Sequence, residues 1–131
     1  MAKATPFLMF QGDAQDAVDL YTSVLPDTKL VRAERYGNGE AGPPGTIKVG
    51  LLQICGREFM CADSPIKHDF SFTPASSIFV EFGTTEELDQ VFRVLADQGT
   101  VLMPPGHYGF STRFAWLNDR FGVSWQLNVA A

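Results

Sequence analysis

The groups in this chain that could do chemistry are few, and most sit in short apolar segments. Glu81 lies in Phe79-Val80-Glu81-Phe82. Strand alternation puts Ile78, Val80 and Phe82 on one face, and Ser77, Phe79 and Glu81 on the other, toward a cavity. A carboxylate desolvated among aromatic rings holds its proton more tightly and can serve as a general base or anchor a ligand. The competing reading is a solvated Glu at a cavity mouth or sheet edge. Gln126 alternates with Trp125 and Leu127, so it faces the cavity if those two face a helix. Its amide can hydrogen-bond a polar ligand, or be satisfied by a structural neighbour. Phe10 and Phe79 both fall on positions read as cavity-facing, and Trp116 could add to an aromatic lining.

Other candidates carry less. His68 and His107, the only histidines, fall in loops and read as solvated, although a loop His beside a pocket can move protons near neutral pH. Arg113 and Arg120 could anchor an anion, Arg120 fitting better in the turn before the last strand. Cys55 and Cys61 flank a tight turn read at Gly56-Arg57, which leaves them out of register for a disulfide. Gly37-Asn38-Gly39-Glu40-Ala41-Gly42 matches G-x-G-x-x-G, but Pro43-Pro44-Gly45 and a strand follow it. The pyrophosphate-binding motif needs a helix at that point, so the segment reads as a loop. No Ser, Thr or Cys has a recognisable nucleophile context.

These residues sit in a chain of 131 residues with 45 % hydrophobic and 19 % charged side chains, a composition that supports one globular domain. Fifteen acidic residues against ten basic ones give a net charge of -5, which argues against a nucleic-acid partner. No apolar run approaches the length of a membrane span, which also excludes a membrane partner. Two cysteines and no recognisable leader point to the cytoplasm. Eleven Phe residues point to an aromatic core or pocket.

Periodicity then orders the elements. A strand at residues 6–11 leads through Gly12-Asp13, with Asp13 as cap, into a helix from Ala14 to Leu25. Strands follow at 28–36, 46–55 and 58–62. A crossover loop at 63–75 leads to a strand at 76–82. Thr84 and Glu87 form a capping-box pattern before a second helix, ended by Gly99. Strands at 100–103, 110–117 and 123–129 close the chain, with Pro104-Pro105-Gly106 interrupting. The order is βαβββ twice. A shift of 71 residues lays Gly83 on Gly12 and Phe92 on Tyr21. The fold class is therefore α+β, a single domain of two βαβββ modules (about 5–62 and 76–129) forming a curved mixed sheet with helices outside and a concave ligand face.

Gly12-Asp13-Ala14 with Ala17-Val18 and Leu20-Tyr21, then Met60-Cys61-Ala62-Asp63, then Asp119-Arg120-Phe121-Gly122-Val123 with Trp125-Gln126-Leu127-Asn128-Val129, resemble the PhnB-like branch of the glyoxalase, bleomycin-resistance and extradiol-dioxygenase superfamily. That branch often carries the label 3-demethylubiquinone 3-methyltransferase. The resemblance covers about residues 5 to 129 and implies the same paired modules and a homodimer. In its metal-using members four ligand positions occupy strands 1, 4, 5 and 8. Here these correspond to Pro6, Met60, Ser77 and Gln126, a set without His or carboxylate, so no metal and no cofactor are expected.

The first reading is thus a binding protein for an unidentified small molecule, with Phe10, Met60, Ser77, Phe79, Glu81 and Gln126 as its site. The alternatives are a lyase, isomerase or dioxygenase of the superfamily with Glu81 as base, and a dimeric interaction module.

Overall fold

The computed structural model describes all residues, Met1 to Ala131, and the chain divides into two compact units, Met1–Asp69 and Phe70–Ala131. Each unit is one βαβββ module, and the eight strands are hydrogen-bonded as two mixed sheets of four.

The first unit runs β1 (Phe7–Phe10), α1 (Ala14–Val24), β2 (Lys29–Arg35), β3 (Ile47–Ile54) and β4 (Arg57–Asp63). Its sheet order is β1-β4-β3-β2, with β1 parallel to β4 and the other pairs antiparallel. A parallel pair needs a crossover, and α1 begins it. The apolar stripe of α1 buries Ala14, Ala17, Val18 and Tyr21, and the helix packs on β2, β3 and β4. Leu52, Ile54 and Cys61 complete this core and are almost fully buried.

Two local expectations change here. Asp13 makes no side-chain cap bond. The helix start is held instead by Asp63, at the far end of β4. Its Oδ1 accepts from the N–H groups of Gly12 (2.8 Å) and Ala14 (2.9 Å), and its Oδ2 from that of Ile47 (2.9 Å). The β3–β4 turn is Cys55-Gly56, one residue earlier than read. Ile54 pairs with Arg57, and both turn residues have positive φ, +48° and +83°. That is the two-residue turn whose twist matches a hairpin. Both cysteines are free.

The second unit runs β5 (Ile78–Glu81), α2 (Thr85–Ala96), β6 (Thr100–Gly106), β7 (Arg113–Asn118) and β8 (Ser124–Val129), in the order β5-β8-β7-β6. Thr84 caps α2 as the capping-box pattern implies, its Oγ1 accepting from the Glu87 N–H at 3.2 Å. Leu88, Val91 and Leu95 of α2 are buried with Ala115, Leu117, Trp125 and Leu127. Strand β6 does not stop at Met103 but continues through Pro104-Pro105 to Gly106. It is an edge strand with irregular pairing between Met103 and Gly106, the setting in which proline's missing N–H is tolerated.

The register decides the sheet faces. Phe7 pairs with Met60 and Leu8 with Cys61, whereas Phe79 pairs with Gln126 and Val80 with Leu127. Helix starts therefore repeat at 71 residues, but strand faces repeat at 72. The first unit carries one more residue between strand and helix, and this flips the expected face of β1. Phe10 pairs with Asp63 and shares a face with Leu8 and buried Cys61, only 3 % exposed. It belongs to the helix-covered core, with Phe82 as its counterpart, and not to an open face.

Candidate open-face binding site

Each sheet has one face packed on its own helix, and the candidate side chains other than Phe10 lie on the opposite face. In the first unit the pairings Phe7–Met60, Met60–Leu51 and Leu51–Arg32 set four side chains in a row across all four strands of the open face. Beside this row lies a hollow of about 460 Å³. Val49, Leu51 and Met60 supply its apolar floor, and Lys3, Arg32, Glu34 and Glu58 its charged rim.

The rim charges are mostly matched. The Lys3 ammonium bonds the Glu58 carboxylate and holds its pKa below the ordinary range. Lys48 lies 3.0 Å from Glu40 and 4.0 Å from Glu34, and its own pKa is raised, first by the hydrogen bond to Glu40. Arg32 has no carboxylate within salt-bridge distance.

In the second unit, Phe79, Gln126 and Trp116 are neighbours across three strands on the face away from Trp125 and Leu127. The Gln126 Nε2 donates to Ser77 Oγ at 2.7 Å, so these two candidates form one polar pair. Phe79 is half-exposed. Phe114, two residues before Trp116, is packed by the rings of Tyr108 and Phe110, at 6.2 and 5.0 Å between centroids. Glu81 pairs in register with Asn128 and is exposed. Within its unit it is not desolvated, and the general-base reading depended on desolvation.

The remaining polar candidates have local partners. Arg113 Nε donates to Asp89 of α2 at 2.6 Å, and Arg120 reaches Asp97 at 3.3 Å. His68 is not merely solvated. Its backbone N–H donates to Gln11 Oε1, and its Nε2 lies 2.8 Å from Ser64 Oγ. The reading of the sequence had no signal for Ser64, which also accepts from the Ile66 N–H and so shapes a five-residue turn. A second hollow, of about 490 Å³, opens beside Gln11, Pro43, Thr46 and residues 63–67. The Gly37–Gly45 segment is a loop running into β3, with Gly37 N–H bonded to Glu40 Oε1 at 2.6 Å.

The closing motif serves structure. Asp119 Oδ1 accepts from the N–H groups of Phe121 (2.9 Å) and Val123 (3.0 Å), and Oδ2 from the Trp125 indole (2.9 Å). Gly122 takes φ +91° in this turn. The aspartate, the glycine and the tryptophan thus form one hairpin device between β7 and β8.

The model of the family described as 3-demethylubiquinone-9 3-methyltransferase matches residues 2–128. The chain belongs to that family. It is similar to a PhnB protein of known structure from Bacillus cereus, 47 % identical over 98 % of this chain and 100 % of that one, with a TM-score of 0.94. It is also similar to protein PA1353 of Pseudomonas aeruginosa (25 % identical, 99 % and 98 % covered, TM-score 0.83). Protein YjdN of Escherichia coli is 25 % identical, with 95 % of this chain and 93 % of the relative aligned. A fosfomycin resistance protein, FosX, from Listeria monocytogenes shares the fold at 10 % identity, with a TM-score of 0.68. These likenesses establish the glyoxalase/bleomycin-resistance fold.

For this family member, the superfamily's divalent ion can be tested against the donors on each unit. In the first, Pro6 offers only its carbonyl, which accepts from the Met60 N–H at 2.8 Å. Alternation places Thr5, not Pro6, on the face of Met60, and Thr5 lines the hollow while Pro6 does not. Met60 offers a soft thioether. In the second, Gln126 and Ser77 bond each other. An ion that prefers imidazole and carboxylate does not fit thioether, hydroxyl and amide donors.

Proposed function

We propose that this family member binds a small organic molecule on its open sheet faces through apolar and hydrogen-bonding contacts, without a divalent ion. The observation that carries this reading is the hollow over Met60. Its size is that of small-molecule sites, and an apolar floor with a few polar groups at the rim is their usual make-up. The Ser77–Gln126 pair beside Phe79 supplies the same chemistry in the second unit. Glu81 is retained as a rim contact of that face.

Met60→Trp tests the reading, because the indole fills the hollow while the helix-covered core is untouched. Native mass spectrometry of the purified protein is expected to show a bound small molecule that the variant lacks. Titration with zinc or nickel is expected to give no stoichiometric binding. A metal held at Pro6, Met60, Ser77 or Gln126, or equal ligand occupancy in Met60→Trp, overturns it.

A homodimer in the cytoplasm completes this reading. The exposed Phe7, Phe70, Phe79 and Phe110 support a partner surface, and the unpaired thiols of Cys55 and Cys61 support a reducing compartment.

A further inference from the structure

We infer that the hollow of the first unit selects an anion with an apolar body, and that Arg32 is its anchor. This rests on the binding reading above and names the ligand class. The inference starts from charge accounting at the rim. Lys3 is matched by Glu58, and Glu34 faces Lys48. Arg32 is the rim charge without a counter-ion in salt-bridge distance, although after the hydrogen bond and charge of Lys3 its own charge also acts to lower the Glu58 carboxyl. It stands on β2, the edge strand of the sheet, and its side chain is exposed. A guanidinium on an exposed edge keeps its fork of donors available, and that fork matches a carboxylate in two parallel bonds.

The register supplies the rest of the ligand's shape. From Arg32 the row continues through Leu51 and Met60 to Phe7, each on the next strand. Neighbouring strands lie about 4.8 Å apart, so the row spans roughly 14 Å from the backbone of β2 to that of β1. A ligand matching this row has its negative group over β2 and an unbranched or aryl body lying across Leu51 and Met60. Leu51 and Met60 accept such a body without polar demands, and the flexible thioether adapts to its outline. The neutralised Lys3–Glu58 pair flanks the strip without competing for the anion.

Two sources of the charge share this chemistry, a carboxylate and a phosphonate. The probes are 4-phenylbutanoate, 4-phenylbutanamide and 3-phenylpropylphosphonate, titrated calorimetrically into the full chain. The acid is expected to bind about tenfold or more tightly than the amide, the ratio that one charge-assisted pair supplies. Arg32→Gln is expected to remove that difference by bringing acid binding down to the level of the amide, and Arg32→Lys to keep part of it. The tighter of the acid and the phosphonate identifies the head group. Equal binding of acid and amide by the unmodified chain, or an undiminished preference in Arg32→Gln, overturns the anion inference. In that case amide binding that disappears in Met60→Trp still supports the binding reading. Binding of none of the three probes overturns the inference, and unchanged binding in Met60→Trp overturns the use of this hollow.

Discussion

Asp119 shows how much one side chain can organise. It satisfies two backbone donors and the Trp125 indole while almost wholly buried. Asp119→Ala leaves those donors without partners, and the expected cost is about 3 kcal/mol or more, because each unsatisfied buried group costs about 1–3 kcal/mol. Urea unfolding followed by Trp fluorescence measures it; a loss under 1 kcal/mol would mean the turn closes without the carboxylate. Cys61 gives a second residue-scale prediction. Burial first, and the charge of Asp63 second, push its thiol from 9.0 up to about 11. The fold therefore keeps a proton that the unfolded chain releases. Stability from the neutral thiol is fully present below pH 9 and lost as pH rises toward 11. Melting temperatures of the native chain should fall more steeply across that window than those of Cys61→Ala. Parallel curves would remove Cys61 as the cause.

At the scale of elements, both helices and most strands were legible because periodicity reports burial directly. What escaped was set by contacts distant in sequence. The start of α1 looks self-capped by Asp13, yet the bonds come from Asp63, some fifty residues on. No local pattern distinguishes an aspartate that caps from one that merely precedes a helix. The same boundary hid the face of β1. An ungapped repeat aligned the helices correctly but shifted the strands by one residue, and a shift of one exchanges the two faces. The sequence alternation therefore puts Phe10 on a cavity face, whereas it lies in the helix-covered core and Phe7 shares the face of Met60. The second unit has no such offset between its reading and its register. There the Ser77, Phe79 and Glu81 alternation matches the strand pairing, although the exposure of Glu81 could not be read from alternation alone. The row from Arg32 to Phe7 was equally hidden, because it depends on the registers of three strand pairs at once.

For the molecule as a whole, the surplus of phenylalanine now divides by environment. Phe10, Phe82 and Phe114 are buried. Phe7, Phe70, Phe79 and Phe110 are each at least half exposed, as is Ile66. Each of these exposed side chains is a candidate contact for a ligand or a partner. A net charge of -5 opposes indiscriminate association of such surfaces, so a defined dimer is expected and not open-ended aggregation. Size-exclusion chromatography with light scattering should give twice the chain mass at micromolar concentration, little changed by added salt, since apolar burial and not ion pairing would drive it. Phe70→Asp and Phe7→Asp, made separately, locate the contact: the one that yields monomer with an unchanged circular dichroism spectrum lies at the partner surface. A chain that stays monomeric as concentration is raised would reject the dimer and leave these aromatic side chains to the ligand faces alone.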